Sequence, residues 1–94
     1  MRESKIEKSV DEYAISRGWL PIKFTSPNMA GVPDKIYIGF GEKVLFVEFK
    51  QPKGKLSKGQ LLIIGKFNLR SVPVYIIDDI TMGKKLIDMH TAGL

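Results

Sequence analysis

Three charged side chains stand where apolar runs meet loops: Asp34, Glu48 and Lys50. Glu48 and Lys50 are one residue apart, at the end of the run Val44-Leu45-Phe46-Val47-Glu48-Phe49-Lys50. In an extended strand both project from the face of Val44 and Phe46, while Leu45, Val47 and Phe49 face the other way. Asp34 opens the preceding run, on the side of Ile36, Ile38 and Phe40. With Phe40-Gly41-Glu42 as a hairpin loop, Gly39 pairs with Lys43 and the antiparallel ladder sets Asp34 directly opposite Glu48. Such residues share a face, with Cβ atoms roughly 4.5–5.5 Å apart. Any odd loop centred on Gly41 preserves this, and a two-residue Gly41-Glu42 loop breaks it unless a bulge intervenes. Two carboxylates so placed repel, and burial makes both ions costlier. A divalent cation held by both removes the conflict, and an all-oxygen donor set suits Mg²⁺ or Mn²⁺. A lysine one step along can orient a water or stabilise charge developing on a phosphate. This is the set that metal-assisted hydrolysis of a phosphodiester requires.

None of the pieces is specific alone. Glu3-Ser4-Lys5 repeats the Glu-x-Lys spacing, and a salt-bridged strand end is its plain structural reading. Asp34 after Pro33 reads as a turn residue. Composition narrows the field. The chain has 94 residues, 44% hydrophobic and 27% charged, with no Cys and one His, His90. That fits one folded domain over residues 1–94 and excludes disulfide scaffolds, cysteine zinc sites and thiol chemistry. His90 reads as a polar residue near the end of the last helix. No apolar stretch approaches the ~20 residues of a membrane span, and Met1-Arg2-Glu3-Ser4-Lys5 leads into none, so a soluble, cytoplasmic protein is expected. The net charge of +5 is local: Lys50, Lys53, Lys55 and Lys58 fall in one nine-residue segment without an acid. Such a loop is either a phosphate-contacting element or a solvated turn.

The elements that must position these groups follow from patterning. Ile6, Val10, Tyr13 and Ala14 mark one face of a helix over 3–17, stopped at Gly18. Trp19–Phe24, Asp34–Phe40 and Lys43–Lys50 read as strands, with a Pro/Asn/Gly-punctuated loop over Thr25–Pro33. Ser57-Lys58-Gly59-Gln60 fits a capping box opening a helix to about Leu69. A short buried strand, Pro73–Ile77, and a weaker helix from Thr81 to about His90 complete the order. A last strand that follows a helix suits a parallel crossover. The result is a small mixed α/β sheet with helices packed on it.

The ordered set Gly31-Val32-Pro33-Asp34, Val47-Glu48-Phe49-Lys50 and Ser57-Lys58-Gly59-Gln60 resembles the PD-(D/E)xK nuclease superfamily. It is most similar to the VRR-NUC type, especially small stand-alone phage proteins, and the likeness runs from the first helix to the Pro73–Ile77 strand. The resemblance implies a restriction-endonuclease-like αβββαβ core and Mg²⁺- or Mn²⁺-dependent cleavage of DNA. It implies that Asp34 and Glu48 hold metal with the backbone carbonyl of Phe49, that Lys50 serves the attacking water, and that Gln60 is the downstream glutamine of the motif. The superfamily adds a first-helix acid, for which Glu7 and Glu3 compete. Glu7 is preferred, as a ligand directly or through a water, for its spacing to Val10, Ala14 and Gly18. A plain helix N-terminal acid is the alternative for either.

The reading is therefore a metal-dependent endonuclease, phage-encoded and acting in the host cell. The resemblance implies action on branched DNA such as Holliday junctions. One domain offers little surface for a junction, so a homodimer is expected. Lys53, Lys55, Lys58, Ser26 and Asn28 are DNA-contact candidates. Trp19, Phe24 and Tyr37 could stack bases, but in so small a core most should pack. The rival reading is a non-catalytic, basic nucleic-acid-binding module on the same fold, which needs no carboxylate pair. A purely structural partner protein explains the lysine loop least well.

Overall fold

The computed structural model describes residues 1–91. In chain order it comprises α1 (Glu3–Ser16), β1 (Leu20–Lys23), β2 (Lys35–Ile38), β3 (Val44–Phe49), α2 (Lys58–Asn68), β4 (Val74–Ile77) and α3 (Ile80–Thr91). The four strands form one sheet in the order β1-β2-β3-β4, antiparallel for the first two pairings and parallel for the third. This is the αβββαβ core followed by one further helix.

α1 buries Ile6, Val10 and Ala14, the apolar stripe of its sequence. Gly18, at φ +91°, ends it, and the amides of Gly18 and Trp19 return to the carbonyls of Ile15 and Ala14. A left-handed glycine after the last turn lets those carbonyls find donors. α3 crosses α1 at Gly83, where any Cβ would collide with Val10. Ser57 accepts from the Gln60 amide at 3.1 Å and the Gln60 side chain accepts from the Ser57 amide at 2.8 Å, so the capping box is complete.

The two faces of the sheet differ in character. Lys35, Tyr37, Leu45, Val47 and Phe49 face α1 and α3 and are buried. The alternation in β2 thus runs opposite to a naive apolar-in reading: Lys35 and Tyr37 go inside, while Ile38 is half-exposed. The burial is compensated. Lys35 Nζ reaches Asp11 at 2.7 Å and Glu7 at 3.0 Å, and the Tyr37 hydroxyl donates to Asp11 at 2.5 Å. Burial opposes the Lys35 charge, but the bonds to Asp11 and Glu7 outweigh it and leave its pKa raised. Trp19 packs in the same core and donates to Thr91 at 2.8 Å. Trp19 and Tyr37 are therefore core residues with no ring face free for a base.

The other face is covered only in part. α2 lies over β3 and β4, with Phe67 edge-on to Phe46 at 5.1 Å between centroids. Beyond its reach the directly opposed row of Leu20, Ile38 and Val44 is open, at 57%, 39% and 48% exposure.

Candidate active site

The β2–β3 register is the one that brings the two acids together. Ile38 pairs with Val44 and Lys35 with Val47, and the Gly39 amide donates to the Lys43 carbonyl. The three-residue loop Phe40-Gly41-Glu42 is permitted by positive φ at Gly41 and Glu42. The next position of this ladder sets Asp34 opposite Glu48, on the α2 side of the sheet. Asp34 is fixed from both neighbouring strands: its carbonyl accepts from the Phe24 amide at 2.8 Å and its carboxylate from the Phe49 amide at 2.9 Å.

Glu48 is 3% exposed, and Asp34, opposite it on the ladder, is half-buried. Gln60 Nε2 donates to Glu48 Oε2 at 2.8 Å, and Lys50 Nζ stands 3.8 Å from the same oxygen. Burial above all, then the charge of Asp34, pushes the Glu48 carboxyl up to about 7, with Lys50 pulling the other way and Glu3 adding to the rise. Gln60 does two jobs at once. Its Oε1 completes the cap of α2 while its Nε2 steadies Glu48.

The donor set suits a hard cation: two converging carboxylates, all-oxygen, with their mutual repulsion unrelieved. Among the described residues no group of three or more acidic, His or Cys side chains forms a metal cluster. Protein ligation would thus rest on Asp34 and Glu48, with a backbone oxygen as the third donor.

The two first-helix candidates, Glu7 and Glu3, are held differently. The Glu7 carboxylate pairs with Lys35 at 3.0 Å and Lys23 at 3.4 Å, toward the sheet face opposite to Glu48. Glu3, one turn earlier and in line with Ile6 and Val10, is the α1 acid whose charge acts on Glu48. The buried Lys35 captures the nearest acid on the helix flank, and the helix already begins at Glu3, which gives that residue a fixed place.

The lysine loop is laid out as a turn, with the Gly54 amide on the Gln51 carbonyl at 2.8 Å and Lys53 at φ +64°. Lys53, Lys55 and Lys58 are exposed. The Thr25–Pro33 loop, with Ser26 half-buried and Asn28 exposed, rests on the start of α2. There Gly31, at φ +88°, comes so close that a Cβ would lie 2.5 Å from the Gly59 carbonyl oxygen.

Compared with solved structures, the chain is similar to one described as a VRR_NUC domain, with a TM-score of 0.83 over 92% of this chain and 94% of that one, at 26% identity. The chain has the VRR-NUC type of restriction-endonuclease-like fold. In sequence it is similar to "Putative nuclease p44" of Acyrthosiphon pisum secondary endosymbiont phage 1, 38% identical over 61 residues. The alignment covers 65% of this chain and 66% of that protein, a little short of two thirds of its length. No family model matches the chain.

Proposed function

We propose that this chain is a divalent-metal-dependent DNA endonuclease that hydrolyses phosphodiester bonds, selective for branched DNA such as Holliday junctions and active as a homodimer. The observation that carries the reading is Asp34 set opposite the buried Glu48, with Lys50 beside it. Two carboxylates held together repel, and a cation bound by both relieves that cost, which is why such pairs mark functional sites.

In this reading Asp34, Glu48 and the Phe49 carbonyl would hold Mg²⁺ or Mn²⁺, with the charge of Glu3 adding to the site. When bound, the cation supplies polarisation of a phosphoryl oxygen and acidification of a water. The remaining work falls to the chain. The Phe49 amide and Gln60 keep the two carboxylates from rotating away. Lys50, with its ammonium 3.8 Å from Glu48, donates to the attacking water or to the phosphate oxygen on which charge accumulates. Lys53, Lys55 and Lys58 receive the flanking phosphates, and Ser26 and Asn28 approach the backbone from the opposite loop.

The open row of Leu20, Ile38 and Val44 supports a second copy on that face, since a small chain gains from covering such a patch. Two copies would present two symmetric sites to a four-way substrate. The relative's phage origin favours action in a host cytoplasm, and no helix among the described residues is long and apolar enough to cross a membrane.

The test is cleavage of linear, flapped and four-way DNA, each with Mn²⁺ or with EDTA. Cutting of the branched forms in Mn²⁺, lost in Asp34→Ala and in Glu48→Ala proteins that keep their circular dichroism, is the expected result. Salt-sensitive binding with no cleavage of any DNA would instead establish the non-catalytic binding module.

A further inference from the structure

Residues 49–77 contain no acid and six basic residues, of which Lys66 and Arg70 lie away from the lysine loop, at the far end of α2. There they meet a different kind of surface. A file of rings leads from the carboxylate pair toward them. Phe24 pairs across from Asp34, and Phe46 shares the face of Glu48 two residues before it. Phe24 to Phe46 is 6.3 Å between centroids, and Phe46 to Phe67 is 5.1 Å. At the end of the file Phe46, Phe67, Arg70 and Val72 line an apolar groove of about 260 Å³. A wider depression of about 560 Å³ on the other side of Phe67 includes Met29, Lys66 and Arg70. No acidic side chain lines either one. The Arg70 guanidinium is held by its bond to the Lys66 carbonyl at 2.8 Å, so the cation is fixed at the rim.

We propose that this groove takes an unpaired nucleobase of the DNA strand whose phosphodiester lies at Asp34 and Glu48. The inference rests on the nuclease reading and adds how the substrate would be chosen. Ring faces and fixed cations together fit a flat aromatic group tied to an anion, and a guanidinium adds its own stacking surface. The open row of Leu20, Ile38 and Val44 offers only aliphatic side chains, which suits a protein surface instead. α2 rises about 1.5 Å per residue, so Phe67 stands roughly 10 Å along the helix from Gln60. That is within reach of a neighbouring nucleotide. A fully stacked duplex has no base to give, whereas a branch point, flap or frayed end does, at lower unstacking cost.

The experiment uses a four-way junction carrying 2-aminopurine at successive positions around the branch, bound to full-length Asp34→Ala protein, which does not cut. At one position fluorescence should change on binding. The change should vanish when Phe67→Leu, which keeps apolar packing on Phe46, or Arg70→Ala is added. Replacing that nucleotide by an abasic one should weaken binding about tenfold. Equal binding of base-bearing and abasic junctions would overturn the proposal, as would a fluorescence change indifferent to Phe67→Leu and Arg70→Ala. So would altered sedimentation of either variant without DNA, which would make the groove a contact between copies. Wild-type cleavage on the same junction in Mn²⁺ tests the nuclease reading separately. If it occurs with no base effect, the groove proposal alone fails. If no DNA is cut, the nuclease reading fails, and the binding measurements still decide the groove.

Discussion

Replacing Glu48 by Gln should make the metal-free protein more stable at alkaline pH while removing its activity. The Glu48 carboxyl is pushed from an ordinary 4.5 to about 7. At about 1.36 kcal/mol per unit, keeping it ionised in the fold costs about 3 kcal/mol. The sign follows from proton binding. Below pH 4.5 the carboxyl is neutral in both folded and unfolded chains, and the cost is absent. Between 4.5 and 7 the folded chain holds the proton more tightly, so stability falls as pH rises. Above about 7 the full penalty applies. Glu48→Gln is isosteric: its carbonyl oxygen accepts from Gln60, and its new amide donates to Asp34. The variant should match wild type at pH 4.5 and exceed it by about 2–3 kcal/mol at pH 8.5. For a chain of this size that is roughly 10 °C or more in Tm. Thermal unfolding in EDTA across that range is the assay. Mn²⁺ at pH 8.5 should then raise the wild-type Tm and leave the variant nearly unmoved, since binding to the native state is what stabilises. A variant less stable than wild type at pH 8.5 in EDTA, or one with a pH-independent offset, would refute the account of a strained carboxylate pair.

Two further substitutions separate support of the site from support of the fold. Gln60→Glu keeps the capping acceptor for Ser57 but sets a third carboxylate on Glu48. α2 should persist by circular dichroism while Mn²⁺-dependent cleavage falls ten- to a hundredfold, whereas Gln60→Ala should also lose about 1 kcal/mol from the helix cap. Gly31→Ala, with a Cβ 2.5 Å from the Gly59 carbonyl oxygen at φ +88°, should cost about 2–4 kcal/mol in urea unfolding. Gly41→Ala, at φ +74° with nothing within 4 Å, should cost only about 1 kcal/mol.

Much of the site was readable because strand pairing has a period of two. Once Gly41 centred the loop, the Asp34–Glu48 opposition followed from counting, and Gly39 and Lys43 pair as that count requires. Ser57 and Gln60 were readable for a similar reason, since a capping box is a local geometry. The bridge from Gln60 to Glu48 was not, because it spans the crossover between β3 and β4. Strand ends were drawn one or two residues past the regular pairing, where single backbone bonds such as Phe24 to Asp34 and Lys50 to Ile77 still continue the sheet. The ion pair of Glu7 with Lys35 was not readable either, because the counterion demand of a buried lysine is a tertiary fact. The buried Lys35–Asp11–Tyr37 set looks in sequence like the solvent side of β2. Only the docking of α1 across that face reveals the opposite.

The shared duty of Gln60 means that the first turn of α2 cannot fray while the reactive centre stays whole. Release of the Ser57 amide frees the same side chain that steadies Glu48. Local opening of that helix end and loosening of Glu48 become one event, so exchange of the Gln60 amide with deuterium should report on the readiness of the site.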